Sequence, residues 1–258
     1  MIITLAQLEV FLLVFARMAG LFIEAPVLST RLIPAMGKVA LCVWISTVLW
    51  FVVPVKGPLP ADLTTLLLAL VNEVLIGFII GFVAHVIFAG IQAAGDIMDL
   101  QMGMSIATII SPTTGGMISI IGLLAFMIAL AIFVVANGHH LILSALNSSF
   151  TMLPIAAPIN LSSNMFIEQI MDLGKNLWLI AVQLSAPVVL LLFLTDFAFG
   201  IVSRVAPQVN VFMLGFQVKP SIGLVGILLT MPLFMRHIVN LTEKMGEEIL
   251  KLFIALKP

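Results

Sequence analysis

Apolar residues run through this chain in long blocks that charge, proline and glycine separate. The blocks cover about Ile2–Ile23, Val39–Val53, Leu63–Gln92, Ile97–Ile110, Met117–Ala136, Leu141–Leu153, Leu177–Val202 and Ile222–Met235. They predict an all-α, polytopic membrane-type protein, yet they fit a bilayer poorly. A span needs roughly 20 apolar residues for a hydrocarbon core of about 30 Å. Leu63–Gln92 as one helix would reach about 45 Å, and Val39–Val53 or Ile222–Met235 only about 21–23 Å. Two explanations stand. Either tilt and snorkelling absorb the mismatch, or many of the helices are surrounded by other protein subunits and need not match a membrane.

Prolines and polar residues mark the predicted loops at Glu24–Lys38, Pro54–Asp62, Pro154–Asn164 and Arg204–Pro220. The break at Pro154–Asn164 divides the chain into a larger N-terminal part, residues 1–160, and a C-terminal helical hairpin with a tail, residues 161–258. From Arg236 onward Ile238, Leu241, Met245, Ile249, Leu252 and Phe253 fall near one helical stripe. Such a stripe predicts a helix lying on a partner or at an interface. No appended soluble domain, low-complexity tract or fixed-period repeat is expected.

Composition supports the membrane reading: 62% of residues are hydrophobic and 9% charged, against roughly 25% charged in soluble domains. The net charge of −1 and the scattered basic residues give no footprint for nucleic acid or anionic lipid. Arg204, Lys219, Arg236, Lys244, Lys251 and Lys257 come late, which favours a cytoplasmic C-terminus. Cys42 stands alone, so neither an internal disulfide nor a cysteine-based metal cluster is expected. MIITLAQLEV lacks a basic region and a cleavage signal, and reads as the start of the first helix.

Catalytic signatures are missing. His139 and His140 are adjacent and point about 100° apart on a helix, a poor pair for one metal. There is no H-E-x-x-H, no Walker A and no G-x-S-x-G elbow. We expect no enzyme, no cofactor and no metal. Ionisable residues inside apolar blocks are more informative, because a charge at bilayer depth costs at least about 2.5 kcal/mol unless paired or wet. Arg17, Glu73, Asp96, Asp99 and Asp196 qualify. Asp96 and Asp99, with Gln92 and Gln101, form a polar patch. One reading is an ion or proton relay in a transporter. The other places them at a helix end or against a neighbouring subunit, and the lack of a second such acidic cluster favours it. Gly77 and Gly81 in GFIIG, and Ala16 with Gly20, have the small-xxx-small spacing that lets membrane helices approach closely.

The most unusual stretch is QMGMSIATIISPTTGGMISIIG, Gln101–Gly122, inside a region without Asp, Glu, Lys or Arg between Asp99 and Glu168. Pro112 disfavours helix at Ser111, and Gly115 and Gly116 leave the backbone unshielded. Irregular backbone cannot face lipid; it is buried in protein or lines a watery cavity. A surface loop is one outcome. The other is an interior segment of Ile, Met and Thr that closes a passage by excluding water.

Five stretches, in order and spacing, carry a resemblance over most of the chain. They are Phe15-Ala16-Arg17 with Ala25-Pro26, Arg31 and Pro34; Glu73 with Ile76-Gly77 and Gly81-Phe82; Gly95 through Gln101-Met102-Gly103; Asn137-Gly138-His139; and Ala206-Pro207-Gln208-Val209-Asn210-Val211-Phe212 with Gly215-Phe216 and Lys219. With them the chain resembles the FliR family of flagellar type III secretion export-gate proteins. That resemblance implies a non-enzymatic subunit at the bacterial inner membrane, in the flagellar basal body. It would join FliP-like and FliQ-like subunits in a helical core, with an FlhB-like protein at the cytoplasmic side and unfolded flagellar substrates passing through. Residues 1–160 would be FliP-like and residues 161–258 a FliQ-like hairpin. A pore plug would fall on about residues 105–118, with Met102, Met104, Ile106, Ile109, Ile110, Pro112, Gly115, Gly116 and Met117 forming the seal. Relatives commonly carry phenylalanine where this chain has Ile106 and Ile109. Arg204, Pro207, Gln208, Asn210, Phe212, Gly215, Phe216 and Lys219 would form the cytoplasmic hairpin tip. The equivalent subunit of a virulence-type system is the alternative.

Overall fold

In a computed structural model of the chain, residues 5–30, 33–53, 59–60, 62–105 and 119–257 are described. Seven helices and no strand run through them: α1 Leu5–Glu24, α2 Ala35–Val52, α3 Leu63–Met102, α4 Ile120–Val135, α5 Gly138–Met152, α6 Asn164–Val205 and α7 Val211–Ala255. Five of these are long and apolar enough to cross a membrane, or six if α4 and α5 are taken as one bent span. The expected all-α membrane-type fold is what the structure has.

Several apolar blocks merge into single helices. Leu63–Gln92 and the first six residues of Ile97–Ile110 belong to α3, whose 40 residues span about 60 Å. The Arg204–Pro220 interruption shrinks to Ala206–Asn210, because the Asn210 side chain accepts the Met213 N–H at 3.2 Å and caps the start of α7. Pro220 and Pro232 are then accommodated inside α7. The charged turns Glu168–Lys175 on α6 and Arg236–Lys251 on α7 add length that an apolar layer need not cover. α3 cannot be divided this way, since Glu73 and His85 are its only ionisable residues before Asp96. It is instead the most enclosed span, 67% buried in its most apolar window against 11% for α2 and 17% for α7.

The chain forms two compact units, each drawing on separated segments. Unit 1 comprises residues 1–86, 133–174 and 242–258. In it α1 packs on the first part of α3 through glycines. A Cβ on Gly20 would overlap the Val74 carbonyl, one on Gly77 the Arg17 carbonyl, and one on Gly81 would lie 2.9 Å from the Ala25 nitrogen. The GFIIG pair therefore packs the chain against itself. Leu13, Val14, Met18, Leu21, Ile76 and Ile80 fill the seam with no exposure. α2 leans on α1, with the Phe11 and Trp50 rings edge-on at 6.0 Å.

The amphipathic tail needs a correction. Its stripe was expected to lie on a partner or an interface, but Met245, Ile249, Leu252 and Phe253 are buried in unit 1, where Gly246 faces the Leu141 side chain. Ile238 and Leu241 are buried as well. The stripe's partner is the chain's own core, a choice that helical periodicity alone does not make.

Unit 2 comprises residues 87–132 and 175–241. Its close approaches again use glycine. Gly95 of α3 meets Gly122 of α4, Gly90 meets Leu177 and Ile180 of α6, and Gly223 of α7 receives the Met102 side chain.

Candidate functional site

In unit 1 the two buried charges of opposite sign find each other. Arg17 on α1 and Glu73 on α3 are 0% and 1% exposed, and Arg17 Nε donates to Glu73 Oε2. The guanidinium's fork satisfies the rest: Nη1 donates to Ser149 Oγ at 2.9 Å and Nη2 to the Leu153 carbonyl at 3.0 Å. The Phe150 ring lies 4.2 Å from the guanidinium carbon. Glu73 Oε1 accepts the Ala156 N–H at 3.0 Å, and Ala156 has a left-handed φ of 61°. A buried charge is tolerable only when paired and hydrogen-bonded, and here each guanidinium nitrogen and each carboxylate oxygen has a partner. It ties α1, α3, the end of α5 and the turn after it.

In unit 2, α3 ends abruptly. Gly103, at φ 79°, donates its N–H to the Leu100 carbonyl at 3.1 Å, and Met104 donates to the Asp99 carbonyl at 3.3 Å. This is the Schellman arrangement, in which a left-handed glycine satisfies the last carbonyls. The helix thus stops eight residues before the Ser111–Gly116 segment that the sequence marks as its breaker. The hydroxyl of Ser105 donates to Asp99 Oδ2 at 3.0 Å; Asp99 is buried, and its Oδ1 has no hydrogen-bond partner among the described residues.

Asp96 is exposed and braces the helix that follows. Its carboxylate pairs with the Ser119 hydroxyl, while Ser119 Oγ accepts the Gly122 N–H at 2.8 Å and caps α4. A carboxylate beside a helix N-terminus is well placed against the helix dipole. The helix-end reading accounts for Asp96, and a relay is not required. Of the seal residues, Met102 is fully buried under Gly223 and Met104 is half-buried. Ile106, Ile109, Ile110, Pro112, Gly115, Gly116 and Met117 lie outside the described residues.

The hairpin residues divide by structure. Pro207 and Gln208 occupy the turn and Asn210 caps α7, while Arg204 closes α6. Phe212, Gly215, Phe216 and Lys219 lie on the first turns of α7, not in a loop. Lys219 pairs with Asp196 of α6, and the Phe212 and Phe216 rings are edge-on at 4.7 Å. With Met102, Gly103 and Gly200 they line a cavity of about 420 Å³. Among the described residues no group of three or more His, Cys, Asp or Glu is placed to hold a metal.

Sequence reasoning named Arg17 and Glu73 but missed Ser149, the Leu153 carbonyl and Ala156, which lie 132, 136 and 83 residues from their partners. It also missed the capping hydroxyls of Ser119 and Ser163, although a serine just before an apolar helix is a readable signal.

Comparison with known proteins fits this geometry. The family described as bacterial export proteins, family 1, matches residues 8–245. Flagellar biosynthetic protein FliR of Bacillus subtilis (strain 168) is 33% identical over 94% of this chain and 95% of its own length. FliR of Escherichia coli (strain K12) is 31% identical over 92% and 90%. Yop proteins translocation protein T of Yersinia pestis is 31% identical over 83% and 82%. A match of this extent shows that this protein belongs to the FliR-containing family of bacterial export proteins.

Proposed function

We propose that this chain is a membrane subunit of a flagellar type III export gate. It forms part of the conduit for unfolded flagellar substrates and part of the seal when the conduit is closed. The observation that carries the reading is 33% identity to a FliR over 94% of the chain, paired with apolar helices across the fold. The coverage is greater for the FliR relatives, 94% and 92%, than for the Yersinia translocation protein, 83%, which favours the flagellar over the virulence-type system. Residues 1–160 act as the FliP-like part and residues 161–258 as the FliQ-like hairpin. FliP-like, FliQ-like and FlhB-like proteins are the partners, at the bacterial inner membrane. The role is one of structure and passage, as expected of a subunit in a family of export proteins.

The seal rests on residues 105–118, where apolar side chains and the helix-breaking residues Pro112, Gly115 and Gly116 combine in the charge-free region. Backbone that such residues keep out of a helix must be sheltered from lipid by protein or a cavity. Native mass spectrometry of the chain co-expressed with the products of neighbouring genes tests the assembly. A heteromeric complex is expected, and a monomer throughout would overturn the reading. Deletion of residues 106–116 in that complex is expected to leave assembly intact and to raise small-ion conductance. Unchanged conductance would remove the seal from the proposal.

A further inference from the structure

The segment between α5 and α6 reads in sequence as a linker, but its main-chain groups are taken from two sides. On one side the Leu153 carbonyl accepts from Arg17 and the Ala156 N–H donates to Glu73. On the other, the Asn160 N–H donates to the Leu256 carbonyl at 3.1 Å, just past the end of α7. Ser163 does two jobs with one hydroxyl. Its oxygen accepts the Phe166 N–H at 3.1 Å and caps the start of α6, while its proton goes to the Ala255 carbonyl at 2.9 Å, at the end of α7. A helix start and a helix end each leave backbone groups without partners, and here one side chain serves both. Asn160 Oδ1 accepts the Ser162 N–H at 3.1 Å and holds the turn in shape. Beneath it Leu252, Phe253 and Leu256 are 0–1% exposed.

The opposite end of the α6 and α7 pair differs. Around Ala206–Asn210 the backbone bonds among the described residues are local ones, such as Ala206 to Val202, Val209 to Ala206 and Leu214 to Asn210.

We propose that residues 153–163 and the last turn of α7 form a clasp that anchors the α6 and α7 hairpin at this end. Any displacement of the hairpin during transport then occurs toward the 206–210 turn. The anchoring stands on this geometry alone; its bearing on transport rests on the export-gate reading. Hydrogen exchange of the purified complex tests it, since local opening sets the exchange rate. Peptides covering 154–166 and 252–257 are expected to exchange more slowly than one covering 206–210. Ser163→Ala should speed exchange about fivefold in both clasp peptides, the factor expected for a lost cap, and Ser163→Thr should restore both. An ordinary helix cap would change only the first turn of α6. That result, or no change in either peptide, overturns the clasp, whatever native mass spectrometry says of assembly.

Discussion

Arg17→Ala is expected to destabilise the folded chain by about 3–5 kcal/mol, the cost of leaving one member of a buried pair without its partner. Glu73 would keep the Ala156 N–H but lose its counter-charge at 1% exposure. Ser149 and the Leu153 carbonyl would each lose a donor, and Phe150 its cation. The double change Arg17→Met with Glu73→Leu removes both charges and fills similar volume, so it should be markedly milder than the single change. Thermal unfolding of the detergent-purified protein, followed by tryptophan fluorescence, reads both. The inequality is the test: a double variant as damaged as Arg17→Ala would mean that the apolar surroundings, not the unpaired charge, set the cost.

Gly77→Val should be nearly as damaging, at about 3 kcal/mol, the upper part of the range for overpacking a tight core. The obstacle is the Arg17 carbonyl, part of a helix backbone that cannot swing aside like a flexible side chain. α1 and α3 must separate, and the buried pair one turn away opens with them. Gly174 is the internal control, because nothing lies within 4 Å of where its Cβ would be. Gly174→Ala should be neutral or stabilising by up to about 1 kcal/mol, the helix preference for alanine over glycine. Folded yield after detergent extraction reports both substitutions. Equal yields for the two would show that the α1–α3 seam is loose. Gly81 belongs to the same seam, so enlarging it is expected to damage the chain before any partner is met.

The structure gives the small-xxx-small spacing a definite meaning. In sequence, Gly77 and Gly81 say only that some helix comes close, since any helix surface of suitable shape satisfies that spacing. α1 is that helix, and its choice depends on Gly20, Ala25 and the Arg17 carbonyl lying opposite. Asp96 and Asp99 behaved in the same way. As a sequence pair they fit a relay or a helix end alike, and Ser119 and Ser105 separated them into a brace for α4 and a staple at the end of α3. The stop at Gly103 was hidden because glycine inside an apolar block is ambiguous until its φ is seen.

What the sequence determined by itself is the solvent and the class. With 62% hydrophobic and 9% charged residues, the helices have too little polar surface for water, and blocks of this length favour helix over any open sheet. The positions that had to be special, Arg17, Glu73, Gly77, Gly81 and the broken run after Gln101, were also visible, because each is costly in an apolar setting unless something compensates. Only the tertiary structure decided what compensates. It paired Arg17 with Glu73 across 56 residues, turned the tail's apolar stripe onto the chain's own core and joined two helix ends through Ser163. Local periodicity orders neighbours within a few turns, whereas the partner of a buried charge or a helix terminus is chosen by packing between segments far apart in the chain.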